Sequence, residues 1–171
     1  MLYFESINLR KVKINPFRQI GDKWMLITAG DLNNFNTMTA SWGGLGVLWN
    51  KDVATCYVRP QRYTYEFMEK NEYFTLCFFE EKDKDILNYC GSHSGKDVDK
   101  IKNTGLVPFK TEKGNVSFEQ AIFYYECRKL YVDDIKPSNF KDKSLEKKIY
   151  SKKDYHRLYI GEVVDFRIRL N

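Results

Sequence analysis

Apolar and polar positions along this chain come in short runs punctuated by Gly, Pro and Asn/Asp, and most runs have the two-residue period of half-buried strands. Residues 24–30 (WMLITAG) predict a strand ended by Gly30, 31–35 a turn, and 36–40 a further strand that continues from Trp42 to Trp49 through three glycines. Residues 53–58 are β-branched and apolar and stop at Arg59-Pro60, because proline lacks the donor a ladder needs. The strongest strand signal is YFTLCFF at 73–79. Residues 121–132 set Ile122, Tyr124, Glu126 and Arg128 on one alternating face, and 155–170 predict another long strand with Gly161 as a bending point. Helical spacing is briefer. Asn15-Pro16 predicts a capped helix start that Gly21-Asp22 breaks, 64–70 fits one or two turns, 82–90 carries Ile86, Leu87 and Tyr89 as apolar positions, and 97–103 stops near Gly105. Residues 2–14 read as irregular or strand structure. Roughly six or more strands with small helices between them predict a mainly β fold, a barrel or closed sheet. No repeat or linker divides the chain, so 1–171 is expected to be one domain.

Composition narrows the function classes. Aromatic residues make up 16% of the 171 residues, which suits a barrel core and flat ligands or interfaces. The net charge of +5, from 28 basic and 23 acidic residues, is a mild bias without the clustered stripe that nucleic acid requires, so no nucleic-acid partner is expected. The lysines of SNFKDKSLEKKIYSKKD mix with acids and read as a solvated loop or short helix. Cys56, Cys77, Cys90 and Cys127 show no CxxC spacing, and with only His93 and His156 beside them no metal site is expected. No signal peptide and no apolar run near the roughly 20 residues of a membrane span are found, so a reducing cytoplasm is expected.

Four short stretches could carry chemistry. Asn36 to Trp42 (NTMTASW) sets hydroxyls and a Trp at a strand end, where backbone N–H groups could meet the polar edge of a flat ring; the same run is equally ordinary strand and turn. Arg59-Pro60-Gln61-Arg62-Tyr63-Thr64 offers two guanidinium groups and a hydroxyl at a helix start, a good anion site, although Thr64 could simply cap the helix. Residues 91–100 (GSHSGKDVDK) form a Ser/Gly turn with two lysines that lacks the full P-loop pattern; without a ligand it is a loop with Asp97 as helix cap. His156 opens a strand, where it is either a hydrogen-bonded structural residue or an imidazole beside a redox ligand. No nucleophile motif and no GxGxxG unit is present.

In order, the chain carries NTMTASWG, YVRPQRYT, FTLCFF, GSHSGKDVDK and HRLYIGEV. This order and spacing resemble the flavin reductase-like family over roughly 15–165, and within it the flavoredoxin-like proteins, which share the SWG and VRPxRYT forms. The resemblance implies a split β-barrel of mostly antiparallel strands with short inserted helices, a homodimer, and FMN near the subunit interface. Asn36, Thr39, Ala40, Ser41 and Trp42 match the stretch lining the isoalloxazine and ribityl chain. Arg59, Arg62, Tyr63 and Thr64 match the ribityl and phosphate side. Ser94, Gly95 and Lys100 match the SGxxxDK loop, with Lys96 a weaker match than Lys100. His156 matches the His facing the nicotinamide side, the candidate catalytic residue, although Tyr155 stands where many family reductases have Asp. The implied activity is electron transfer from NAD(P)H, a transient donor, through FMN to an acceptor. The alternatives are a non-enzymatic FMN carrier serving a redox partner protein, and a barrel that binds no flavin.

Overall fold

A computed structural model describes residues 3–170; Met1, Leu2 and Asn171, the ends of the expected 1–171 unit, lie outside it. Ten strands are present: β1 (Phe4–Ser6), β2 (Met25–Asp31), β3 (Asn34–Ala40), β4 (Gly43–Leu48), β5 (Lys51–Val58), β6 (Tyr73–Phe78), β7 (Pro108–Lys110), β8 (Val116–Phe118), β9 (Phe123–Asp134) and β10 (Arg157–Arg169). Four α-helices accompany them: α1 (Tyr63–Lys70), α2 (Lys84–Ser92), α3 (Lys100–Thr104) and α4 (Lys143–Ile149). Eight strands form one sheet in the order β3-β2-β6-β9-β10-β5-β4, with β1 paired to the far end of β10; β7 and β8 form a separate hairpin. Every pairing is antiparallel. The sheet curls so that its two edge strands, β3 and β4, are joined directly by Ser41 and Trp42. This is a split β-barrel, and the split lies at that junction.

Strand periodicity explains two cores. Met25, Ile27 and Ala29 of β2, Phe74, Leu76 and Phe78 of β6, and Phe123, Tyr125 and Cys127 of β9 fill the barrel interior. The intervening Leu26, Cys77 and Tyr124 face outward but are covered by α2, by residues around α3 and by the β7–β8 hairpin. Burial on both faces is why β2 and β6 read as near-continuous apolar runs. It also alters the expectation for the strand at 121–132, where one buried face was predicted: both faces of β9 are buried from Phe123 to Glu126. The Glu126 carboxylate there accepts hydrogen bonds from the Thr111 hydroxyl and from Asn115 Nδ2 at 2.7 Å, both from the hairpin connection, so its burial is compensated.

Other boundaries differ for local reasons. Gly21-Asp22 does not break the first helix; a π-helical segment runs Phe17–Lys23, pinned by the buried Ile20, and ends where Trp24 adopts φ 70°. Asp99, not Asp97, caps α3, accepting from the Lys102 N–H at 3.0 Å. The lysine-rich 136–153 stretch contains α4, capped by Asp142. Gly161 does sit at a bulge: β10 and β9 slip register between Ile160 and Gly161. All four cysteines are free and buried. Among the described residues no helix is long and apolar enough to cross a membrane, and no His/Cys/Asp/Glu group could hold a metal ion.

Candidate functional site

The split in the barrel places an unusual amount of unpaired backbone in one region. As sheet edges, β3 and β4 each leave one row of N–H and C=O groups without a strand partner. The N-terminus of α1, the C-terminus of α2 and the 93–99 loop leading to α3 converge on β3. Two clefts result, with Arg62 in the wall of both.

The first cleft, about 150 Å³, is lined by Asn36, Gln61, Arg62, Tyr63, Thr64, the 91–95 loop and Lys100. Arg62 flanks α1 as its N-cap residue, in extended conformation and with no side-chain cap; the Tyr65 N–H donates to the Arg62 carbonyl at 2.9 Å, which leaves the N–H groups of Tyr63 and Thr64, both in the cleft lining, without an intrahelical acceptor. Thr64 is fully buried and does not cap the helix; its hydroxyl accepts from Asn36 Nδ2 at 2.7 Å, tying α1 to β3. Arg62 donates to the Gly91 carbonyl at 2.9 Å and the Cys90 carbonyl at 3.4 Å. Lys100 is buried and donates to the Thr37 carbonyl at 2.7 Å and the Cys90 carbonyl at 2.9 Å. Both cations therefore end on carbonyls at and near the C-terminus of α2, where the helix dipole is negative. Among the described residues neither is paired with a carboxylate. Burial pushes the Lys100 ammonium down to about 8 and lowers Arg62 as well. A site holding two uncompensated, partly desolvated cations is an electrostatic demand for an anion.

Gly95 closes this cleft tightly. A Cβ there would lie 2.1 Å from Asn36 Oδ1, so any other residue would have to displace the Asn36 side chain that Thr64 holds at 2.7 Å. Ser94 accepts from the Lys96 N–H at 3.2 Å, while Lys96 itself reaches out to Glu66 at 2.6 Å and is exposed.

The second cleft, about 180 Å³, is lined by Met38, Thr39, Ala40, Ser41, Trp42, Tyr57, Arg59, Arg62 and His156. The Thr39 hydroxyl donates to the Leu87 carbonyl at 2.5 Å, binding β3 to α2. Trp42 is half-exposed and its ring centroid lies 5.1 Å from that of His156. His156 is buried, with Nδ1 2.9 Å from the Tyr150 hydroxyl, and burial together with the nearby Arg59 charge pushes its imidazole down to about 4. It is a neutral ring at pH 7. Arg59 forms an ion pair with Asp154, donates to the Ile149 carbonyl at 3.3 Å and lies over the Tyr150 ring. Its charge is thereby compensated, in contrast to that of Arg62.

The thirteen residues singled out in the sequence thus divide between two adjoining clefts: Asn36, Arg62, Tyr63, Thr64, Ser94, Gly95 and Lys100 at one, and Thr39, Ala40, Ser41, Trp42, Arg59 and His156 at the other. Tyr57 and Gln61 also line the clefts and were not anticipated. Strand alternation could have found Tyr57, since it lies two residues before Arg59, on the opposite face of β5 from the core residues Cys56 and Val58. Gln61 donates to Asp154 at 2.7 Å, a pairing that no local pattern reveals. An apolar hollow of about 530 Å³ adjoins the second cleft through Ser41, Trp42 and Tyr57, and a polar one of about 540 Å³ adjoins the first through Asn36, Gly95 and Lys100.

No curated protein matches this chain. Among solved structures it resembles an FMN-binding domain of a flavin reductases-like enzyme from Shewanella baltica OS155 (18% identity, 98% of this chain and 78% of that one, TM-score 0.70). It also resembles an FMN-binding protein from Thermus thermophilus (22% identity, 95% and 79%, TM-score 0.66). Flavoredoxin of Desulfovibrio vulgaris (Miyazaki F) is similar as well (20% identity, 85% and 68%, TM-score 0.65). At these identities the likeness is one of fold. The sequence profile of the flavin reductase like domain, however, matches residues 17–171, from the first helix through both clefts to the end of the chain, and the chain belongs to that family.

Proposed function

We propose that this chain is a single-domain FMN-binding oxidoreductase that passes electrons from NAD(P)H through flavin to an acceptor. The observation that carries the reading is the pair Arg62, part-buried, and Lys100, buried, neither paired with a carboxylate among the described residues, at a cleft that also receives the α1 N-terminus. That donor set fits a phosphate monoester. The clefts on either side of Arg62 together reach the lower end of the ~300–1,000 Å³ range of ligand pockets, enough for a phosphate, a chain and part of a ring.

In this reading Arg62, Lys100, Ser94 and the N–H groups of Tyr63 and Thr64 would hold the phosphate, and Asn36 would stand beside the ribityl chain. The free edge of β3 and the Thr39–Trp42 segment would meet the polar rim of the ring, with Trp42 covering part of its face. Bound flavin would supply hydride acceptance and electron transfer, chemistry that side chains lack. His156, neutral and fixed through Nδ1, would orient a nicotinamide or donate a hydrogen bond; its depressed basicity rules it out as a cationic acid at neutral pH. A reducing cytoplasmic setting belongs to the same reading and is supported by four unpaired, buried thiols.

A second reading, an FMN carrier that serves a protein partner without nicotinamide turnover, is favoured by the concentration of positive charge beside the second cleft. The test is a visible spectrum of the protein with added FMN, followed by anaerobic NADH or NADPH. Perturbed flavin bands that bleach with nicotinamide establish the reductase. Bands that bleach only with dithionite establish the carrier, and an unperturbed spectrum refutes both.

A further inference from the structure

The charge of this protein is not spread over its surface. Residues 136–153, between β9 and β10, hold seven of the 28 basic residues and only two acids, Asp142 and Glu146. The rest of the chain is balanced, so this strap accounts for the whole net charge of +5. Lys136 is paired with Asp133, and Lys143 lies 4.0 Å from Glu146. Lys141, Lys147, Lys148, Lys152 and Lys153 are exposed and, among the described residues, form no salt bridge. Leu145, on α4 in their midst, is also exposed.

The strap is anchored on the second cleft. Arg59 holds Ile149 and Asp154, Tyr150 bonds His156, and His156 packs on Trp42. The C-terminal end of the strap is therefore tied through Arg59, Tyr150 and His156 to the wall of the second cleft. We propose that this strap is the docking face of an acidic protein electron carrier, which exchanges single electrons with the bound flavin. The inference rests on the flavin reading above and names the partner of that site.

Three features favour a protein over a nucleotide. All seven basic residues are lysines, compact hydrated charges suited to transient encounters, and none is the arginine that forks onto phosphate. They lie within and on both sides of a helix about 10 Å long, more charge over more length than one diphosphate can neutralise. Leu145 supplies an apolar centre within a charged rim, the usual anatomy of a protein contact. The electron step needs no bond chemistry. A hydride from NAD(P)H brings two electrons and a proton; two carriers each gain one electron, the flavin returns to its oxidised form, and the proton goes to water.

The experiment measures binding of an acidic [2Fe–2S] ferredoxin to the full chain by titration calorimetry, with and without FMN, in roughly 20 mM and roughly 200 mM salt, and repeats it with Lys147→Glu/Lys148→Glu and the milder Lys147→Gln/Lys148→Gln. The expected result is saturable binding that weakens about tenfold or more with salt and about tenfold with charge reversal, while FMN affinity is unchanged. Stopped-flow electron transfer to the same carrier should show the same salt and charge dependence. Absent or salt-insensitive binding overturns the proposal. So does a variant that instead raises KM for NADPH, or binding confined to phosphatidylserine vesicles. Ferredoxin binding to a chain that takes up no FMN would refute the flavin reading, and the redox role with it, while leaving the surface itself demonstrated.

Discussion

At the scale of single residues, the contrast between Arg59 and Arg62 decides how the site reads. Both belong to one hexapeptide, yet Asp154, 95 positions away, neutralises only the first. Lys100 is the complementary case: a lysine beside an Asp that proves to be buried on two carbonyls. Lys100→Met should weaken FMN binding by about 1.5–3 kcal/mol, roughly tenfold to a hundredfold, measured by quenching of flavin fluorescence. The pH dependence has a definite sign. A phosphate raises the basicity of the ammonium it contacts, so binding takes up a proton once the free site titrates; affinity should fall as pH rises above about 8, and Lys100→Met should abolish that slope. His156 gives a second pH effect. Its folded value of about 4 lies below the ordinary 6.5, so the unfolded chain binds more protons between those limits. The stability it contributes is full above 6.5 and lost as pH falls towards 4, and His156→Gln should flatten that part of a denaturant-midpoint profile.

At the scale of elements, the strand pattern was legible where burial is one-sided or where apolar runs are long, as at β2, β6 and β10. The β7–β8 hairpin was not, because its strands are three residues each and owe their existence to covering Leu26, Cys77 and Tyr124. The site motifs were legible as chemistry but not as geometry: the sequence marks Thr39 as a hydroxyl near a ring, while the fold commits that hydroxyl to Leu87. Gly161 shows how one element depends on a single position. A Cβ there would lie 2.8 Å from the Phe74 ring and 2.9 Å from Cys127 Cβ, both within the barrel core. Gly161→Ala should destabilise by about 1–3 kcal/mol through overpacking, seen as a fall in Tm of about 2–4 °C per kcal/mol, with FMN affinity little changed.

At the scale of the whole molecule, the edge strand β4 and the turn after it expose large apolar side chains. Val47 is 64% exposed, and Trp49, 56% exposed, is held at φ 52° in the turn that follows, a costly conformation for a bulky residue. Tyr131 packs against Trp49 and is itself exposed. The homodimer that family resemblance implies is expected to form over this face. Sedimentation velocity should give a dimer, and Val47→Lys with Trp49→Lys should shift it to monomer, with weaker flavin retention if the partner helps to close the cleft.

The strand that closes the barrel, β10, is last in sequence and central in space, lying between β9 on one side and β5 and β1 on the other. A growing chain therefore carries β5 and β9 as two unmatched borders until residues 157–169 arrive. His156 and the strap become fixed only then, so a complete cofactor cleft is a late event in folding. Assembly of this kind is dominated by pairings distant in sequence and belongs to the slower millisecond-to-second regime. Flavin cannot serve as an early template for it, and during that interval the nascent protein is more exposed to aggregation than the finished one.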